Sequence, residues 1–167
     1  LKDMTIVLKN KQTLLFDDFI FKCSVGKKGF SADKIEGDQK TPSGTYSLGN
    51  LYFRKDRVKK PKTLLKCIEI KKEMGWCNDI KSLRYYNKLI KLKRNLRSEK
   101  IFRHDFKYDL FIPIKYNWKK TTLGKGSAIF IHLTKDYKPT AGCISLTKKD
   151  FLILLSLINK NTKIKIP

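Results

Sequence analysis

His132-Leu133-Thr134-Lys135-Asp136-Tyr137-Lys138-Pro139-Thr140-Ala141-Gly142-Cys143-Ile144-Ser145-Leu146 is the stretch whose reading decides the fold. Ahead of it, Ser127 to Leu133 alternates, with Ile129, Ile131 and Leu133 on one face and Phe130 and His132 on the other. Alternation of period two is the mark of a strand, so an imidazole projects from the side opposite the aliphatic set. A turn rich in small residues then presents Cys143. Thr147 opens Thr-Lys-Lys-Asp, a capping-box variant that starts a helix through Phe151 to Ile158.

Working outward, the first 25 residues read as β structure. Met4 to Leu8 alternates, Asn10-Lys11-Gln12 looks like a turn, and Leu14 to Val25 contains a second alternating run, so a hairpin is expected to open the domain. Cys23 shares a face there with Phe19, Phe21 and Val25, as a small buried hydrophobe would. Gly26 to Gly29 breaks the pattern, and residues 36 to 44 form a turn-rich loop before a strand from Thr45 to Leu51. Tyr108 to Ile114 is a further strand, and Thr162 to Ile166 is predicted to be a terminal edge strand whose outward lysines discourage pairing.

Residues 53 to 107 carry about half of the net charge and show no clean period. They are expected to be a basic excursion of loops and short elements over one side of a single domain spanning 1–167, and a candidate lid.

The formal charge of +23 would ordinarily suggest a polyanion partner. The excess is scattered, however, and is carried by 32 Lys against 6 Arg. No zinc-finger spacing, RNP-type aromatic signature or GxxG clamp accompanies it, so nucleic acid is not expected as the main partner. No apolar run reaches the roughly 18 to 20 residues of a membrane span, and the N-terminus lacks the order of a signal peptide. The four cysteines form no CxxC pair, and no metal or cofactor is expected. Cys67 and Cys77 could pair in an oxidising compartment; sequence alone does not place their Cα atoms.

A thiol is mostly protonated at neutral pH and needs a base to become a nucleophile. Of the two histidines, His132 is far better placed to serve Cys143 than His104 in the basic excursion. Gly142 permits close approach of a substrate carbonyl, so the Gly142 and Cys143 amides are candidate oxyanion donors, each worth roughly 3 kcal/mol.

The segment from His132 to Leu146 resembles the signature of the L,D-transpeptidase catalytic domain, the YkuD-like family, in which a strand-borne His precedes Ser/Thr-x-Gly-Cys-Ile/Val. Thr140, Gly142, Cys143 and Ile144 fall on that pattern. Thr41-Pro42-Ser43-Gly44 is similar to the family's Thr-Pro-x-Gly loop, and Gly126 to His132 resembles its strand into the His. The resemblance implies a mainly β fold with minor α, mixed sheets in a sandwich or barrel-like arrangement and one helix after the Cys. It also implies Cys143 as nucleophile, His132 as base, and the Leu133 carbonyl as the group orienting His132. Substrate would be a peptidoglycan stem peptide, cut by the thiol and passed as an acyl group to an amine on a second stem. A periplasmic or wall-facing location and a monomer are expected.

One departure stands out. The family usually has Arg two residues after the Cys, where this chain has Ser145. Gly75-Trp76-Cys77, Arg103 to Leu110 and Tyr116-Asn117 are similar to segments of a proteobacterial branch associated with cross-links between two diaminopimelate residues. That similarity makes Arg103, Tyr108, Asp109, Trp76 and Asn117 candidate substrate contacts, beside Thr140, Ala141 and Ser145. The packing alternative for Trp76 and Tyr108 stays open. So do two other functions: a carboxypeptidase, endopeptidase or exchange enzyme on the same site, and a non-catalytic wall or polyanion binder.

Overall fold

Alternate apolar positions build the first sheet. The computed structural model describes residues 4–167, and in it β1 (Thr5–Asn10), β2 (Thr13–Phe16) and β3 (Phe19–Lys22) form an antiparallel meander. Ile6, Leu8, Leu14, Phe16 and Phe21 turn into a shared aliphatic core. The expected hairpin is therefore a three-stranded meander, because the stretch from Leu14 to Val25 contributes to two strands, β2 and β3. Asp17 takes φ 51, a left-handed conformation that its short polar side chain tolerates, and the chain reverses there.

β4 (Phe30–Ser31) and β5 (Thr41–Pro42) pair in parallel at the two ends of a loop, and β6 (Gly44–Ser47) and β7 (Leu51–Phe53) follow. The basic excursion supplies β8 (Cys67–Glu69), which joins β7 in parallel. It also forms a sheet of its own, with β9 (Met74–Cys77) between β10 (Leu89–Lys91) and β11 (Ser98–Lys100). Cys67 and Cys77 thus lie in different sheets, and all four cysteines are free thiols. Two arginines fasten the end of the excursion: Arg54 donates to the Arg103 carbonyl at 2.7 Å, and Arg57 to those of Asp105 and His104 at 2.7 and 2.9 Å.

β12 (Leu110–Pro113), β13 (Phe130–Leu133) and β14 (Ile144–Leu146) complete a second five-stranded sheet in the order β14-β13-β12-β7-β8. α1 (Lys148–Leu157) starts at Thr147, whose hydroxyl accepts from the Asp150 N–H at 3.4 Å. Its Phe151, Leu154 and Leu155 recur at helical spacing and enter the aliphatic core. The architecture is thus mainly β, in mixed sheets with one helix.

β15 (Lys163–Ile166) corrects an expectation. It is not an edge strand: it lies between β1, with which it pairs in parallel, and β6, with which it pairs antiparallel. Ile164 and Ile166 are buried while Lys163 and Lys165 stay on the solvated face. Its lysines solvate the outer surface of the sheet; they guard no edge.

β13 is buried on both faces because it separates two hydrophobic clusters. Ile131 and Leu133 join the aliphatic core. Phe130 belongs to an aromatic cluster with Tyr52, Trp76, Tyr108 and Phe111, and Cys143 belongs to it as well.

Candidate active site

The parallel register of β13 and β14 brings the thiol and the imidazole to one face. Ile131 pairs with Ile144 and His132 with Ser145, so one step back places Cys143 beside Phe130. Residues two apart on a strand share a face, and Cys143 therefore lies on the side from which His132 projects. The two side chains line one cleft of about 180 Å³.

Cys143 is 9% exposed. Its Sγ accepts from the Phe130 N–H at 3.3 Å and donates to the Ala128 carbonyl at 3.2 Å. Ala128 presents that carbonyl from a left-handed conformation, φ 54, unusual for a residue with a Cβ. Asn87 holds it there. Its Oδ1 accepts from the Ala128 N–H at 3.0 Å and from Trp76 Nε1 at 2.9 Å, while Nδ2 donates to the carbonyls of Tyr116 and Asn117.

His132 is 2% exposed, and its Nδ1 lies 2.9 Å from the Leu133 carbonyl. A carbonyl can only accept, so Nδ1 carries the proton and Nε2 keeps a free lone pair. Nε2 is buried and has no hydrogen-bond partner among the described residues. It is a base with nothing yet to bind.

Both groups are neutral at rest. Burial, then the charge of Lys107, pushes the imidazole down to about 3 against the pull of the Leu133 carbonyl. Burial, helped by the negative charge of Glu99, pushes the thiol up to about 12, against the Phe130 N–H and the cations Lys107 and Lys34. The site thus holds a protonated thiol and a neutral imidazole, not a thiolate–imidazolium pair.

This has a consequence for stability. The unfolded chain releases thiol protons from about pH 9, whereas the folded chain retains those of Cys143 and of buried Cys23, also pushed up to about 12. Between these values the folded state binds more protons, so stability falls as pH rises. Each thiol contributes a slope of about 1.4 kcal/mol per pH unit. Relative to Cys143→Ala, the wild type is expected to lose stability by about that amount per unit between pH 9.5 and 10.5, read from urea midpoints. A difference independent of pH would contradict a protonated buried thiol.

Of the residues singled out in the sequence, the cleft gathers Cys143, His132, Gly142, Ala141 and Tyr108. Thr140 lies just beneath: its Oγ1 donates to the Cys143 carbonyl at 2.6 Å and accepts the Gly142 N–H at 3.1 Å. That second bond commits one of the two expected oxyanion amides. The Cys143 N–H makes no hydrogen bond among the described residues. Ser145 is fully buried and bonded to the Ser24 hydroxyl, so it offers nothing to a substrate.

The other candidates serve the scaffold. Trp76 packs edge-on against Phe130 at 5.0 Å and lines a separate pocket with Trp118. Asp109 pairs with Arg57 at 3.0 Å, and Arg103 with Asp105 at 2.6 Å over the Tyr108 ring. Asn117, at φ 57, ties a turn to the carbonyls of Thr122 and Gly126.

The remaining walls are residues the sequence did not mark. Glu36 accepts from both the Tyr86 and Ser127 hydroxyls at 2.6 Å, and Glu99 accepts from the Tyr108 hydroxyl. Lys34, Lys107 and Asn78 complete the lining. Only Glu36 carried a signal, since Glu36-Gly37-Asp38 opens the turn-rich loop that leads to the Thr41-Pro42 motif.

Comparison with known proteins adds three findings. The family model for the L,D-transpeptidase catalytic domain, YkuD, matches residues 2–166. Among solved structures, that of Bdellovibrio bacteriovorus Bd1075 is similar over 98% of this chain, at 17% identity and a TM-score of 0.48; this chain spans 47% of that one. No curated protein matches.

Proposed function

The chain belongs to the L,D-transpeptidase catalytic-domain family, and from that premise we propose that it is a cysteine acyltransferase acting on peptidoglycan stem peptides in the periplasm or at the wall. The observation that carries this reading is the pairing, in one cleft, of a thiol with a buried imidazole whose basic nitrogen has no partner. A module that only bound wall or polyanion would gain nothing from leaving such a nitrogen unsatisfied.

In this mechanism the thiol leaves the Ala128 carbonyl and passes its proton to His132 Nε2 as Sγ attacks the stem-peptide carbonyl. The tetrahedral oxyanion collapses to a thioester, and the leaving amine takes the proton from His132. An amine of a second stem then attacks the thioester, with His132 as base, and Cys143 recovers its proton. Neutral resting groups suit this order, because charge separates only once the oxyanion can be held.

The cleft is less basic than its surroundings. In a chain of net charge +23, two of the 15 acidic side chains, Glu36 and Glu99, line it beside Lys34 and Lys107. That balance lowers the repulsion met by an approaching ammonium group, such as the free amine of a diaminopimelate stem.

Purified disaccharide-tetrapeptide incubated with the enzyme tests the proposal, with products resolved by chromatography and mass. A cross-linked dimer is expected, and fragmentation would show which residues are joined. Shortened monomers alone would mean that water takes the acyl group, making the protein a hydrolase on the same site.

A further inference from the structure

We propose that Lys34 is a catalytic residue whose ammonium supplies the second oxyanion donor of the Cys143 site, in the place that the Gly142 amide would otherwise fill. The inference deepens the acyl-transfer reading and rests on it. Its starting point is a deficit: the Gly142 N–H is held by Thr140 Oγ1 at 3.1 Å, and that hydroxyl is fixed in turn by the Cys143 carbonyl at 2.6 Å. Rotating the Gly142 amide toward substrate would break its bond to that fixed hydroxyl.

Lys34 is built for the vacancy. It is 4% exposed, an unusual burial for lysine, and it lines the same cleft as Cys143 and His132. Its stem passes tightly over Gly126, where an added Cβ would stand 3.0 Å from Cε, and its Nζ would lie 3.6 Å from a Cβ on Gly142. Two of the three ammonium hydrogens are used, one on Asp38 Oδ1 at 2.8 Å and one on the Ile35 carbonyl at 3.4 Å. Asp38 is itself anchored by the amides of Ile35 and Lys40, both at 2.9 Å. The ammonium is therefore fixed in place with one hydrogen to spare. A preorganised donor of this kind pays no reorganisation when charge develops.

The residue that follows Cys143 on the same strand face, Ser145, is buried and uncharged, so the cation in the cleft beside Gly142 is supplied by Lys34 from another loop. During attack, Sγ forms its bond to the carbonyl carbon, the thiol proton moves to His132 Nε2, and the carbonyl π pair moves onto oxygen. Lys34 Nζ and the Cys143 N–H hold that oxygen until the pair returns and expels the amine, which leaves with the proton from His132.

Acylation and alkylation of the same thiol separate this role from its alternatives. p-Nitrophenyl acetate acylates through an oxyanion and carries no carboxylate; iodoacetamide alkylates without forming one. Lys34→Met/Asp38→Asn removes both members of the pair and leaves no buried charge alone. Acylation of Cys143, followed by intact mass, is expected to fall on the order of 100-fold in this variant, with alkylation changed less than about threefold. Asp38→Asn, which keeps the ammonium, is expected to retain most of the acylation rate. Lys34→Met alone provides the reading should the double variant not fold.

Unchanged acylation in a folded variant would overturn the assignment, as would equal losses in both reactions, which would mean that Lys34 acts on the thiol alone. A loss confined to carboxylate-bearing donors would also overturn it, in favour of carboxylate binding. A wild type that alkylates but never acylates would instead sink the acyl-transfer reading, and this role with it.

Discussion

Cys143→Ala is expected to lower turnover of stem peptide by at least about 10⁴-fold, since no other group in the cleft can form the thioester. The fold should not suffer. The thiol makes two weak contacts, to the Phe130 amide at 3.3 Å and the Ala128 carbonyl at 3.2 Å, and alanine leaves a void of only one sulfur. A stability change near neutral pH within about 1 kcal/mol is expected from urea unfolding. Cys23→Ala is the matched control: it deletes a buried thiol in the other cluster and should leave kcat unchanged. Near-wild-type turnover by Cys143→Ala would remove the central assignment.

The largest expected effect on stability belongs to Phe130→Ala. Phe130 is fully buried, stacked on Phe111 at 4.6 Å and met edge-on by Trp76 at 5.0 Å and Tyr108 at 5.5 Å. Truncation removes the centre of this cluster and leaves a cavity that a rigid strand cannot collapse, for a loss of about 3 to 5 kcal/mol. The Phe130 N–H to Sγ is a backbone bond and survives the substitution. What survives of kcat in the folded variant therefore measures how far the ring, rather than the amide, holds the thiol. A loss under about 1 kcal/mol in the urea midpoint would show that the cluster repacks, contrary to its geometry.

The placement of Cys143 and His132, the proposed nucleophile and base, was legible in the sequence because both depend on local rules. Alternation from Ile129 to Leu133 fixed which way His132 projects, and Thr147 with Asp150 fixed where α1 begins. The opposite wall was not legible. Lys34, Asn78 and Lys107 come from separate loops and Glu99 from β11, brought together by β9 between β10 and β11 and by the Tyr86 hydroxyl reaching Glu36. Nothing at short spacing encodes such pairings. The misreading of Leu14 to Val25 has a smaller cause: Asp17 and Asp18 interrupt the run with a turn that alternation alone does not see. β15 was misplaced for the reverse reason. Its pattern of buried isoleucines and solvated lysines suits a central strand with one open face as well as an edge, and only its two partners decide.

The position of β15 also sets a timetable for the chain during synthesis. β1 emerges from the ribosome before β6, yet the two are joined in the finished sheet only through residues 163–166. The cleft-bearing strands can be translated, and Cys143 exposed, while that sheet still lacks its middle. Closure of this sheet waits for β15, and a nascent chain stalled before residue 163 would present two unpaired edges to any chaperone or neighbouring strand.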